Sequence, residues 1–187
     1  MADQASEGLL SPYLREKRIQ AVRPYLKGRV LDVGCGSGAL ARLLAPGNYL
    51  GVDRDSASLQ RARATFPIYA FASELPESEG QFDTVVSMAV IEHLSDPVEH
   101  LRSLSQHLKK GREARIVLTT PHPAVDWVHD IGARVGLFSR HANDEHEELL
   151  DRARLLSVGA SAGLVLSVYE RFLFGANQLA IYSREHS

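Results

Sequence analysis

Two acidic residues and a run of glycines are the groups best suited to chemistry in this chain. Asp32-Val33-Gly34-Cys35-Gly36-Ser37-Gly38 closes one branched apolar run and opens a glycine loop, and Asp53 closes a second apolar run. Glycines let a ligand lie directly against backbone and allow positive φ. Asp32 sets the sign of that ligand. A dinucleotide brings a negative pyrophosphate to such a loop, and a carboxylate beside it repels the phosphates. A ligand carrying an ammonium and a sulfonium is attracted instead. Asp53 is placed to accept both hydroxyls of a ribose, which suits either ligand. Gly34-x-Gly36-x-x-Ala39 also fits the looser nicotinamide pattern, so the glycines alone do not decide.

Other residues are weighed in the same way. Glu92-His93 reads as an acid–base pair or, more plainly, as the start of a helix that holds a loop. His122 follows an apolar run at the ligand end of the expected sheet, where it could act as a general base. Cys35 reads as a small loop residue rather than a reactive thiol. Tyr13 and Lys17 have the spacing of a dehydrogenase pair, but they precede the glycine loop and read as coincidence. His122, His129, His141 and His146, with Asp144, Glu145 and Glu147, match no metal-ligand spacing and read as a polar lid, so no metal is expected. Arg18 could reach the carboxylate of a cofactor or stay solvated.

These groups need a scaffold. Ser11-Pro12 caps a helix reaching toward Gly28, after a loose tail over 1–9. Strands are expected at Arg29 to Val33, Tyr49 to Val52, Ile68 to Ala72, Phe82 to Met88 and Ala114 to Thr119. Helices are expected at Ala39 to Ala45, Asp55 to Thr65, after Asp96-Pro97-Val98-Glu99, and at Leu149 to Gly163. The alternation gives a parallel sheet with helices on both faces. Leu164 to Tyr169 and Gln178 to Tyr182 form a last pair whose connection is too short for a parallel crossover, so the pair is antiparallel. Residues 121–147 are expected to form a substrate lid.

The chain has 187 residues and a formal net charge of −2, with 21 Lys plus Arg against 23 Asp plus Glu. That length suits one domain over 1–187. The balance gives no basic excess for nucleic acid or an anionic membrane. The single cysteine excludes an internal disulfide. No signal peptide and no membrane span is visible, which gives a cytoplasmic expectation.

The motifs, taken in order, resemble those of class I S-adenosylmethionine-dependent methyltransferases. Val30-Leu31-Asp32-Val33-Gly34-Cys35-Gly36-Ser37-Gly38 is similar to their first motif and Gly51-Val52-Asp53 to the acidic motif that follows. Phe82-Asp83-Thr84-Val85-Val86-Ser87, then Val90-Ile91-Glu92-His93-Leu94-Ser95-Asp96-Pro97, resembles the type 11 subgroup, which includes ubiquinone-biosynthesis methyltransferases. The resemblance implies an α/β, Rossmann-like, doubly wound seven-stranded sheet with the last strand antiparallel. It implies S-adenosyl-L-methionine as cofactor. Gly34, Cys35, Gly36 and Gly38 would pack on its methionine and ribose portion, with Asp32 near the ammonium. Asp53 would hold the ribose hydroxyls and Arg54 would lie beside adenine. Ala72 and Ser73 would contact adenine, and Met88 would line the methionine portion. Phe71 stands where the subgroup often has an acidic residue, so adenine would be held by backbone groups and stacking.

Methyl transfer requires an acceptor held in line with the methyl group and shielded from water. A base is needed only for a protonated acceptor such as a hydroxyl or thiol. The charge balance favours a small-molecule acceptor over nucleic acid, with no membrane partner, in a monomer or homodimer. A non-catalytic S-adenosylmethionine-binding accessory protein and, further off, a NAD-dependent oxidoreductase are the alternatives.

Overall fold

The computed structural model describes residues 11–123 and 150–185. Within them, seven strands form one sheet, most of them rich in Val, Ile and Leu: β1 Val30–Val33, β2 Tyr49–Val52, β3 Ala70–Ala72, β4 Thr84–Met88, β5 Arg115–Pro121, β6 Leu164–Phe172 and β7 Asn177–Arg184. Four α-helices accompany them: α1 Ser11–Val22, α2 Ser56–Thr65, α3 Pro97–Gln106 and α4 Arg152–Ser161. The strand order is β3-β2-β1-β4-β5-β7-β6. β1 to β5 pair in parallel, and β7 lies antiparallel to both β5 and β6. The fold expected from the sequence is the one observed, antiparallel last strand included.

Aspartates start three of the helices. Asp55 accepts from the amides of Ala57 and Ser58, Asp96 from that of Glu99, and Asp151 from that of Arg154. Each satisfies amide donors that the first turn leaves orphaned.

Alternation along the strands divides the core between two faces. Val85 and Ile116 turn toward one face, where Leu101 and Leu104 of α3 and Leu155 and Val158 of α4 cover them. Val86 and Val117 turn to the other, under Ile19 and Val22 of α1 and Leu40 and Ala41. The chain winds outward from β1 in one direction and from β4 in the other. The carboxyl ends of β1 and β4 therefore flank a crevice of the kind that binds ligands in open α/β sheets.

One expected element is absent. Ala39 to Ala45 does not form an α-helix; it forms a 3-10 turn at Ala41–Leu43, followed by another at Pro46–Asn48. Its bonds run three residues back, Ala41 to Gly38, Leu43 to Leu40 and Leu44 to Ala41. Pro46 forces Ala45 into an extended conformation, at φ −71° and ψ 144°.

The other differences are at boundaries. β3 begins at Ala70 and β4 at Thr84, two residues later than expected in each case. β6 continues to Phe172, so its link to β7 is only Leu173 to Ala176. That link is unusual for its composition. Leu173 and Phe174 both have positive φ, 53° and 55°, across a turn closed by a Gly175 amide to Phe172 carbonyl bond of 3.1 Å. The tail over 1–9 and residues 124–147 of the expected lid lie outside the described residues, as do His129, His141, Asp144, Glu145, His146 and Glu147. Among the described residues no helix is long and apolar enough to cross a membrane, and no cluster of three metal-ligating side chains occurs.

Candidate active site

The glycine loop leaves β1 and is pinned at once to β2. The amides of Gly34 and Cys35 both donate to the Val52 carbonyl, at 2.8 and 3.1 Å. Gly34 has φ of 75°, and a Cβ there would stand 2.4 Å from Val90 Cγ2. The loop after β4 therefore presses on the loop after β1, and only glycine leaves room for it. At Gly36 a Cβ would meet nothing within 4 Å, so the turn of the loop has open space. Gly38 packs on Phe71 and Ala62.

Asp53 ties the loop to β2. Its Oδ2 accepts from the Gly36 amide at 2.7 Å and its Oδ1 from the Asp55 amide at 2.9 Å. A carboxylate offers about four lone pairs, so two remain for a ribose diol. Arg54 is exposed, Ala72 is half-buried and gives its carbonyl to the Asp53 amide at 3.2 Å, Ser73 is exposed, and Met88 ends β4 half-buried. All of these lie at the carboxyl ends of β1 to β4, where the sequence reading placed them. Ala89 follows Met88 at φ 56°, its amide held by the Thr119 carbonyl at 2.8 Å.

Asp32 is placed differently from its neighbours. It is 1% exposed and lies beneath the loop rather than open to it. Tyr49 donates to Oδ2 at 2.8 Å, and Oδ1 has no hydrogen-bond partner. Burial, with Asp53 adding like charge, pushes its carboxyl up to about 7. Cys35 is buried in the same cluster, and burial raises its thiol well above the usual range. Phe71 stacks edge-on against Tyr49 at 5.8 Å and supports the loop from below.

Toward β5 the side chains are polar and enclosed. Glu92, 5% exposed, accepts from Thr120 Oγ1 at 3.0 Å, and burial raises its carboxyl. Arg18 reaches in from α1 and donates from Nε to Asn177 Oδ1 at 3.0 Å. His122 follows β5 as expected. Its Nδ1 lies 3.3 Å from Arg171 Nη2, and burial, then Arg171, hold the imidazole below its ordinary value. A guanidinium can only donate, so Nδ1 accepts and the neutral ring carries its proton on Nε2. His100, on α3, faces Ser87 at 3.1 Å and is held down at about 4 by burial and by Arg54.

Sequence reasoning missed Tyr49, Asn177 and Arg171. Each acts on a site residue distant in the chain, and none belongs to a local motif.

The cluster fits a cationic nucleoside ligand. An orphaned buried carboxylate oxygen lies behind the loop, a second carboxylate bears on its turn, and the turn has room for a ligand. A pyrophosphate would face both negative groups. Fold and site together define a class I S-adenosylmethionine-dependent methyltransferase domain. The chain matches the methyltransferase domain family Methyltransf_23 over residues 9–166 and belongs to it, with S-adenosylmethionine as cofactor.

Ubiquinone biosynthesis O-methyltransferase of Ruegeria pomeroyi is 35% identical over 99 residues, covering 48% of this chain and 40% of that protein. tRNA U34 carboxymethyltransferase of Alcanivorax borkumensis is 38% identical over 117 residues, covering 54% and 36%. The chain thus spans about two-fifths of the length of these curated relatives. Magnesium protoporphyrin IX methyltransferase from Synechocystis, solved with bound S-adenosylhomocysteine, superposes with a TM-score of 0.68 at 16% identity over 98% of this chain and 90% of that one. That last likeness is one of fold.

Proposed function

We propose that the protein transfers a methyl group from S-adenosylmethionine to a small-molecule acceptor by in-line displacement. The observation that carries the cofactor side is the Gly36 amide held on Asp53 at 2.7 Å beside open space at the turn of the loop. The cofactor, when bound, supplies an activated methyl group on a sulfonium. Asp53 holds the ribose and keeps the loop shaped for it. Asp32 contributes negative potential from behind the loop, favouring the ammonium. Arg54, Ala72 and Ser73 border adenine, and Met88 borders the methionine portion.

The acceptor lies toward β5, between α1, the loop after β4 and His122. With its proton on Nε2, His122 donates a hydrogen bond to the acceptor. It takes a proton as a base only if Arg171 releases Nδ1. The formal charge of −2 supports a small acceptor. A nucleic-acid acceptor is the second reading, favoured by the likeness to tRNA U34 carboxymethyltransferase.

The protein works in the cytoplasm, without a membrane partner, as a monomer or homodimer over a single domain. Incubation with methyl-labelled S-adenosylmethionine and, separately, small hydroxyl, amine and acidic-carbon acceptors or tRNA tests the reading. Label in a small product, reduced by Asp53→Ala at low cofactor concentration, supports it. Label in tRNA alone sinks the small-molecule acceptor. Cofactor binding without transfer to either class supports the accessory-protein alternative.

A further inference from the structure

Arg18 presents an incomplete set of contacts. Its guanidinium is half-buried, and burial lowers its pKa from the usual arginine range. Nε is fixed by Asn177, which is itself 4% exposed and opposite Pro121 at the ligand end of β5. Among the described residues the two terminal nitrogens meet no acceptor. Glu92 is close enough for its charge to be felt, yet it accepts from Thr120 and forms no ion pair with Arg18. A guanidinium has five N–H donors in a planar fork, and with Nε fixed by Asn177 the terminal nitrogens of Arg18 are left to meet an acceptor from outside the chain. The fork matches a carboxylate or a phosphate.

Two observations choose among sources. Arg15, one turn earlier, donates to Ser37 Oγ of the glycine loop at 3.2 Å, so it is the cation nearer to the cofactor's own carboxylate. Arg18 bears on β5 and β7, on the acceptor side. The buried Glu92 nearby disfavours a doubly charged phosphate. A monoanion meets less of that repulsion than a dianion does.

We infer that Arg18, set in place by Asn177, binds a carboxylate carried by the acceptor. This rests on the small-molecule methyl-transfer reading. The protein would therefore select acceptors bearing a carboxylate group over their neutral amide or ester forms.

The test uses the full chain saturated with S-adenosylhomocysteine, titrated by calorimetry with benzoate and with its neutral counterpart benzamide up to millimolar concentrations. Benzoate is expected to bind about tenfold or more tightly than benzamide, the size of one charge-assisted hydrogen bond. Arg18→Gln is expected to abolish that preference and leave S-adenosylhomocysteine affinity unchanged, while Arg18→Lys, which keeps the charge without the fork, restores part of it. Equal binding of the two probes, or of neither, overturns the inference. So does an Arg18→Gln variant that loses S-adenosylhomocysteine but retains 5′-methylthioadenosine, since Arg18 would then hold the cofactor's carboxylate. Failure of the wild-type chain to bind S-adenosylhomocysteine would instead sink the cofactor reading beneath it.

Discussion

Asp53 joins the glycine loop to β2 and is also the residue proposed to hold the ribose, so its removal acts twice. Asp53→Ala is expected to weaken S-adenosylhomocysteine about tenfold to a hundredfold, read by calorimetry, the loss of one or two charge-assisted bonds. Tyr49 supports the buried carboxylate below. Tyr49→Phe leaves both oxygens of Asp32 without a donor and is expected to lower stability by about 1–3 kcal/mol in urea unfolding. Asp32, Asp53 and the glycines were legible in the sequence because strand-end and loop chemistry is local. Tyr49, Arg171 and Asn177 were not. They meet Asp32, His122 and Arg18 across separations of 17, 49 and 159 residues. Such pairings follow from the sheet order, which no single stretch of chain specifies.

Gly159, in α4, faces Tyr182 of β7, and a Cβ there would stand 2.5 Å from the ring. Alanine is the better helix former by about 1 kcal/mol, yet Gly159→Ala is expected to lower stability by about 1–3 kcal/mol through overpacking. The sign of the change in unfolding midpoint decides which effect wins. At the β6–β7 turn the opposite holds. Left-handed conformations cost a residue other than glycine or asparagine about 1–2 kcal/mol each, and Leu173 and Phe174 occupy two of them. Leu173→Asn with Phe174→Gly is expected to raise the urea midpoint. The antiparallel pair itself was legible, because a short connection permits nothing else. Its turn residues gave no warning, since Leu and Phe are not turn formers. The helix expected after the glycine loop gives way to i→i+3 turns, and Pro46 holds Ala45 extended and ends the segment.

Two apolar layers enclose the sheet, and Asp32 is an ionisable group enclosed between one of them and the loop. Its effect is felt by the whole molecule. The folded carboxyl titrates at about 7 against 3.8 ordinarily, so the folded state keeps a proton that the unfolded state releases between those values. The stability this supplies is present below about pH 4 and is lost as pH rises through 7. Asp32→Asn is expected to flatten that decline relative to wild type by roughly 4 kcal/mol at most, measured by urea unfolding from pH 4 to 8. A last consequence comes from Cys35, the only thiol in the chain, a residue of the glycine loop whose sulfur is buried against Gly51. A thiol-specific dye can reach it only when that loop lifts. The molecule thus carries its own clock for loop opening, and the rate at which colour develops, slowed by S-adenosylhomocysteine, times how often the cofactor cradle comes apart.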